Sequence, residues 1–405
     1  MPKKDKKKKK KHSLFPAYCD KLLIITTFLL VIYSSIMIAS AAMGEGAGDS
    51  SVITRSVTRQ VVFFALGTFL MIFFTRHNFL KLLTIKAFDL GYWAILVLLL
   101  LTRLSGATYG AYGWIRIGGI SIQPSEFSKV YIMMYGAKLL GNNDPENNKK
   151  NFLRLVVRAF IYFAIILAYQ KDLGSAVVLA GITFVILLVP PYKELNKYHF
   201  RMLLMILGII VAIVIIMLPG FNEYLSEHAG SSYKIGRFLA AYNPFAYQYS
   251  TGYHLIMGLV SFATGGWFGL GYGQSIHKYM NFPNPTTDFI LPVIVEEMGI
   301  IGGLIPILVA YGILLYKLIR YSFKTPNTSS KMILSGSFAY LFIHFVLNVG
   351  GVSGLIPLTG VPLLLVSSGG SSLLATMMAL GISESEIIVY RKQEALKNES
   401  NSGQI

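Results

Sequence analysis

Cysteine is almost absent from this chain of 405 residues. Cys19 is the only one, so no intramolecular disulfide can form and no cysteine-built metal cluster can be drawn. Histidine is sparse as well: seven residues lie scattered without close ligand spacing, which argues against a histidine zinc site. Charge is scarce too. Only 14% of residues are charged, and they cluster between long apolar runs instead of spreading along amphipathic faces. With 54% hydrophobic residues, this is the profile of a polytopic membrane protein.

A helix needs about 20 predominantly apolar residues to cross the hydrocarbon layer of a bilayer. Runs of that order recur ten times, with approximate cores at 21–43, 60–76, 84–103, 124–140, 153–170, 172–190, 202–218, 288–318, 331–351 and 361–382. The expected fold is therefore all-α, ten transmembrane helices over 21–385, with tails at 1–20 and 386–405. The eighth run is long enough to tilt or to extend past the bilayer. Lys and Arg favour the cytoplasmic side of short loops. Placing the N-terminus inside puts Arg76 and Lys81, Lys149 and Lys150, Lys193 and Lys197, Lys317, Arg320 and Lys324, then Arg391 and Lys392 on that side. Both tails are then cytoplasmic. The first apolar segment is longer than a signal-peptide core and lacks a small-residue cleavage site, so it reads as a retained anchor.

Acids are fewer than bases, 19 against 36, giving a formal charge of +17. Much of the excess sits in Lys3 to Lys11. The run could be a nucleic-acid arm or an anionic-lipid anchor, but it lies just before the first span and lacks interleaved aromatics, so it reads first as a topological determinant.

Between the seventh and eighth spans lies a segment, 219–287, too long for an ordinary connection. Its aromatic and aliphatic residues among glycines, Gly252 to Gly273, argue for a structured extracytoplasmic loop rather than disorder. Four stretches carry candidate chemistry. In Gly106 to Lys129, Glu126 stands in the first turn of a helix opened by Pro124, and Lys129 three residues on can neutralise it. In Gln170 to Ser175, Asp172 is placed either to cap the sixth helix or to face an outer cavity. In Asn348 to Ser372, small residues including Ser371 and Ser372, with two prolines, suit close helix approach or a cavity lined by broken helices.

The fourth stretch, Pro283 to Glu297, runs from a polar loop into an apolar helix and carries Asp288, Glu296 and Glu297 with it. Pro-Thr-Thr-Asp before an apolar run is also how an ordinary helix begins, so Asp288 suits a cap as well as a site. Glu296 lies about 12 Å further along that helix, where an acid is costly unless it is paired or faces a polar cavity. Glu296 and Glu297 are therefore assigned a structural or cavity role first.

Taken in order, these motifs resemble one family. Trp114 to Lys129 (W-I-x-I-G…Q-P-S-E-x-x-K), Asp172 to Ser175 (D-L-G-S), Gly265 to Ser275, Thr287 to Gly299 (T-D-F-I…E-E-x-G) and Pro357 to Ser372 (P-L-T-G-x-P…S-S-G-G-S-S) are similar to the SEDS family of bacterial cell-wall proteins, named for shape, elongation, division and sporulation. The likeness runs from the first span to about residue 385 and is greatest to the division-type branch.

The resemblance implies a glycosyltransferase that polymerises lipid II, the undecaprenyl-pyrophosphate-linked disaccharide-pentapeptide, on the outer face of the bacterial cytoplasmic membrane. It implies a class B penicillin-binding protein, a transpeptidase, as partner, with other division proteins at the septum. The family's essential acid falls on Asp288, and Glu126, Lys129 and Asp172 match its cavity positions. A carboxylate near the acceptor hydroxyl can act as general base, and cations can stabilise the departing pyrophosphate. Arg116, Lys129, Arg237 and Lys278 are the candidate cations. A divalent cation could assist, but no dedicated ligand cage is readable.

Departures from the family pattern are Lys171 where proline is common, Tyr253-His254 for Tyr-Gln, Met257-Gly258 for Gln-Ser, and Ser368 for tyrosine. They leave the Asp288 motif intact. Two other classes stay open: a transporter that flips lipid-linked precursors, and a noncatalytic scaffold for the transpeptidase. Elongation- and sporulation-type roles stay open as well.

Overall fold

The computed structural model describes residues 15–45, 49–107, 110–118, 120–217, 220, 233–250, 252–280, 282 and 284–402. The Lys3 to Lys11 run and much of 219–232 lie outside them. Among the described residues the seven leading helices are α1 (Lys21–Glu45), α2 (Ser50–Arg76), α3 (Ile85–Leu101), α4 (Pro124–Leu140), α5 (Asn148–Ala164), α6 (Leu173–Leu188) and α7 (Asn196–Met217). Then come α8 (Tyr233–Tyr242), α9 (Tyr253–Gly265), α10 (Ile290–Gly299), α11 (Ile305–Lys324), α12 (Thr328–Val352) and α13 (Gly370–Ser402).

All ten expected spans correspond to helices, the eighth to α10 and α11 together. Among the described residues seven helical stretches are long and apolar enough to cross a membrane, α6 is a shorter apolar helix, and α4 and α7 are the helices at the expected fourth and seventh spans. Leu22, Leu29, Leu66, Phe69, Leu203 and Leu207 are exposed, a surface that a bilayer covers. The chain is a multi-pass membrane protein.

Local chemistry places several helix starts. Asp49 accepts a bond from Ser51 N at 2.8 Å and starts α2 ten residues earlier than its apolar core suggests. Asn327 caps α12 the same way, and Pro124 occupies the first turn of α4, where a missing N–H costs nothing. α12 is the central helix. It packs on α4, α6, α11 and α13, while α13 runs along α2, where Gly67, Gly370 and Gly381 let Met377, Phe63 and Met71 approach.

Two expectations are corrected. The eighth span is broken rather than continuous: at Gly299 φ is +69° and ψ is −173°, a conformation that ends α10, and a π-turn over Ile300–Leu304 leads into α11. The tenth span begins at Gly370, not 361, because 361–369 is non-helical chain with a turn over Leu364–Val366. Four successive carbonyls of that segment are met from outside the helical pattern: Val361 by Asn348, Pro362 by His344, Leu363 by the amides of Val366 and Ser367, and Leu364 by the Tyr311 hydroxyl. Non-helical backbone is tolerated inside such a bundle only when its polar groups are satisfied this way.

The second half of the long loop is structured and packs along the bundle. α9 runs parallel to α10, with the His254 and Phe289 rings 6.0 Å apart at the start and Gly265 against the backbone of Val295 and Glu296 at the finish. Residues 266–271 then bond to the break: Ile300 N donates to Gly266 O at 2.9 Å, Leu270 N to Glu296 O at 2.9 Å and Gly271 N to Glu297 O at 2.9 Å. The chain climbs back until Tyr253 OH donates to Met280 O at 3.0 Å. The Gly-Gly-Trp-Phe-Gly-Leu-Gly motif is the lining of that contact, since a Cβ on Gly265 or Gly269 would meet the opposing backbone.

The all-α expectation also misses a small antiparallel hairpin, β1 (Ile115–Ile117) with β2 (Ile120–Ile122), in register Ile117 to Ile120. The I-R-I-G-G-I-S-I alternation around two glycines was its signal.

At the opposite end of the bundle from Asp288, Asp20 gathers three helices. Its Oδ1 caps α1 through Leu22 N and Leu23 N, and its Oδ2 lies 2.9 Å from Lys317 Nζ and 3.0 Å from Arg391 Nη2.

Candidate functional site

Asp288 closes a turn, Pro285 to Phe289, at the mouth of α10 and is partly exposed. It stands one residue outside the capping position, which is held by Phe289 without a side-chain bond, so the cap expected of Asp288 belongs to no side chain here. The turn is gripped from the α12–α13 connection. Ser368 N donates to Thr286 O at 2.8 Å, Ser367 Oγ to Thr287 O at 2.8 Å, and Asn348 Nδ2 to Asp288 O at 2.9 Å. Three consecutive carbonyls are thereby fixed, which holds the backbone from which the carboxylate projects.

The carboxylate rests against Gly360. That residue has φ +70°, and a Cβ there would lie 3.5 Å from Asp288 Oδ2. On the other side of the same segment, Gly174 abuts Thr359 and Val361 and adjoins Asp172. The Thr359–Val361 backbone thus runs between the neighbourhoods of the two acids. Asp172 caps α6, its Oδ1 accepting from Ser175 N at 2.9 Å, and its Oδ2 accepts from Gln123 Nε2 at 3.0 Å. Gln123, delivered by the hairpin, donates its own N–H to Ser371 Oγ at 2.9 Å. Ser372 donates to Gly369 O within its own turn, at 3.0 Å. The turn before Asp172 is held by Gln170, and it sets Lys171 at φ +60°, which the proline common in the family cannot adopt.

Glu126 and Lys129 form a buried pair. Lys129 Nζ lies 2.6 Å from Glu126 Oε1, and their side chains are 1% and 2% exposed. Tyr340 OH donates to Glu126 Oε2 at 2.9 Å, and Lys129 Nζ lies 3.3 Å from His344 Nε2. The other His344 nitrogen, Nδ1, lies 3.1 Å from Pro362 O. A carbonyl only accepts and an ammonium only donates, so His344 is a neutral ring with its proton on Nδ1. Tyr340, His344 and Asn348, spaced four apart on one face of α12, link the Glu126–Lys129 pair to Asp288 through the carbonyls of Pro362 and Val361. Sequence reasoning missed these three; their i, i+4, i+8 spacing was the available signal.

Glu296 and Glu297 meet the returning limb of the long loop. Lys278 Nζ lies 2.6 Å from Glu297 Oε1, and Ser40 Oγ donates to the same carboxylate at 2.6 Å. Ser275 Oγ donates to Glu296 Oε2 at 2.6 Å, and His277 Nδ1 lies 2.7 Å from Glu296 Oε1. The two acids face different neighbours, as adjacent helical positions must.

Of the four cations expected near a substrate, the structure therefore places two against internal acids: Lys129 with Glu126 and Lys278 with Glu297. Arg116 is exposed on β1. The Arg237 side chain lies outside the described residues, although its backbone belongs to α8. Among the described residues no three His, Cys, Asp or Glu side chains converge as a metal cage. No such cage forms around Asp288 among the described residues.

A many-helix membrane bundle with one partly exposed acid on a gripped turn, backed by buried ion pairs, defines a polytopic membrane protein with a polar site at one end. A family profile described as cell cycle protein, covering FtsW, RodA and SpoVE, matches residues 20–392, and the chain belongs to that family. It is 33% identical over 375 residues to stage V sporulation protein E of Bacillus subtilis, covering 90% of this chain and 95% of the relative. It is 32% identical over 368 residues to the probable peptidoglycan glycosyltransferase FtsW of the same organism, covering 90% and 89%. Its fold is similar to a chain in a solved peptidoglycan synthase complex that coordinates polymerization and crosslinking, with TM-score 0.69, 25% identity, and coverage of 92% of this chain and 98% of that one.

Proposed function

We propose that the protein is a peptidoglycan glycosyltransferase that polymerises lipid II, with Asp288 as general base. The observation that carries this reading is the grip on Asp288: three consecutive carbonyls are bonded from residues 348, 367 and 368, while the carboxylate stays at the partly exposed face beside Gly360. A base needs that combination of fixed position and access. An acceptor sugar hydroxyl attacks the anomeric carbon of the donor, its proton passes to Asp288, and the lipid pyrophosphate departs with the bonding pair. Arg116 and Arg237 are the cations we assign to that leaving group, on the family resemblance of their segments. Lys129 and Lys278 serve by holding Glu126 and Glu297, and through them the walls of the site.

The Asp288 end faces the outside of the cytoplasmic membrane and both termini face the cytoplasm, in line with the Lys and Arg distribution. The partner is a class B penicillin-binding protein, a role supported by the synthase complex that shares this fold. We assign the protein to division, with other septal proteins as company, on the Thr286-Thr287-Asp288 motif and the basic tail. A fluorescent fusion found along the lateral wall instead of the septum would overturn that assignment.

The activity is tested with purified protein, the partner transpeptidase and labelled lipid II supplied directly in detergent, which a flippase alone cannot polymerise. Wild-type protein is expected to form glycan strands and Asp288→Asn to lose at least about 100-fold in rate, the usual scale of a general base. Near-wild-type polymerisation by Asp288→Asn would remove the base.

A further inference from the structure

We propose that Asn348 is a positioning residue for Asp288, a reading that rests on Asp288 being the base. Asn348 acts on the backbone of Asp288 from a buried position. Its Nδ2 donates to Asp288 O at 2.9 Å and to Val361 O at 2.9 Å, and the side chain is only 3% exposed. One amide therefore ties together two segments that are 60 and 13 residues away from it in sequence.

These are the segments whose separation sets the site. Asp288 Oδ2 rests against Gly360, the neighbour of Val361, and the positive φ of Gly360 keeps that approach open. Both partners of Nδ2 are carbonyls, which only accept, so the amide must turn its N–H groups toward them. That choice leaves Asn348 Oδ1 buried without a donor among the described residues. A buried acceptor without a partner is unfavourable, so the orientation persists because two buried carbonyls require donors. Ser367 and Ser368 hold Thr287 and Thr286, and Asn348 bonds the carbonyl of Asp288 itself.

A base displaced by about 1 Å loses about 100-fold in rate without losing substrate affinity. The test uses the full chain with its partner transpeptidase and lipid II, comparing wild type, Asn348→Leu and Asn348→Asp, each alone and combined with Asp288→Asn. Asn348→Leu removes both donors at similar volume. It is expected to lower kcat about 100-fold with KM near wild type, and to lower the thermal unfolding midpoint as well, because two carbonyls lose their donor. Combined with Asp288→Asn it is expected to lower the residual turnover by no more than about twofold, because the group it positions is already gone.

Near-wild-type kcat in both Asn348 variants overturns the proposal. So does a fall in kcat that comes with an equal loss of lipid II binding or recurs in full without Asp288, since either marks a general structural role. Should Asn348→Leu fail to fold, Asn348→Asp, which keeps the shape, carries the same comparisons. Wild-type activity in Asp288→Asn would instead remove the base assignment on which this inference rests.

Discussion

Lys278 Nζ stands 2.6 Å from Glu297 Oε1 with neither side chain exposed, and the pair joins the returning limb of the long loop to the broken eighth span. A lysine expected to face an anionic substrate is instead a strut between two chain segments. Ser40 of α1 closes the contact, donating to Glu297 and accepting from Lys278 at 2.9 Å.

Breaking that pair on one side leaves a buried charge without its counter-ion. Lys278→Met is expected to destabilise the protein by about 3–5 kcal/mol, and the double variant Lys278→Met, Glu297→Gln to recover most of the loss. Thermal unfolding in detergent measures both. Equal destabilisation by the single and double variants would show that the charges are not the cause.

Two glycines of the same limb separate backbone strain from steric contact. Gly269 and Gly273 have φ of +77° and +80°, but only at Gly269 would a Cβ run into opposing backbone, that of Glu297 and Gly299. Gly273→Ala should cost about 1 kcal/mol from its left-handed φ. Gly269→Ala should cost several times more and lower the yield of folded protein, read from size-exclusion profiles of tagged protein. Indistinguishable profiles would argue against the tight contact.

Asp172 is expected to show its capping role in stability. Asp172→Ala should cost about 1 kcal/mol, whereas Asp172→Asn, still able to accept from Ser175 N, should cost less than half of that. The readout is the unfolding midpoint of each variant. An Asn variant as unstable as the Ala variant would place the importance in the carboxylate charge and its bond from Gln123.

The Asp20 junction predicts an acid-dependent component. Burial pushes the Asp20 carboxyl up, but the bonds from Lys317, Tyr321 and Leu23 N outweigh it and hold the group below its ordinary value. A group lowered on folding stabilises the protein above its unfolded pKa of about 3.9, and that contribution is lost as pH falls through the lower folded value. The gap in unfolding midpoint between wild type and Asp20→Asn should therefore stay constant from neutral pH down to about pH 4 and close only below it. A gap that closes already between pH 7 and pH 5 would show that another group is responsible.

Much of the architecture was legible in advance because a span is a local property. Some 20 apolar residues bounded by loops announce a helix whatever surrounds them, and the starts at Pro124 and Leu173 follow from the proline itself and from the Asp172 cap. The errors fell where backbone leaves the helical pattern inside the bundle. Residues 361–369 are as apolar as a helix, but their carbonyls are taken by Asn348, His344 and Tyr311, partners that no local window contains. The same holds at Gly299, whose break is completed by amides and carbonyls from 266–271.

By itself the sequence determined the class of protein, the approximate place of its helices, the uneven charge along the chain, and the motif that contains Asp288. Hydrophobicity, charge and glycine placement are written residue by residue, so they can be read without a fold. Only the tertiary structure decided which acids are paired, that Lys129 and Lys278 are internal struts, and that Asn348, Ser367 and Ser368 hold the Asp288 turn. Those relationships depend on side chains meeting backbone carbonyls and buried charges far away in sequence. A carbonyl carries no mark of its partner until the chain has folded around it.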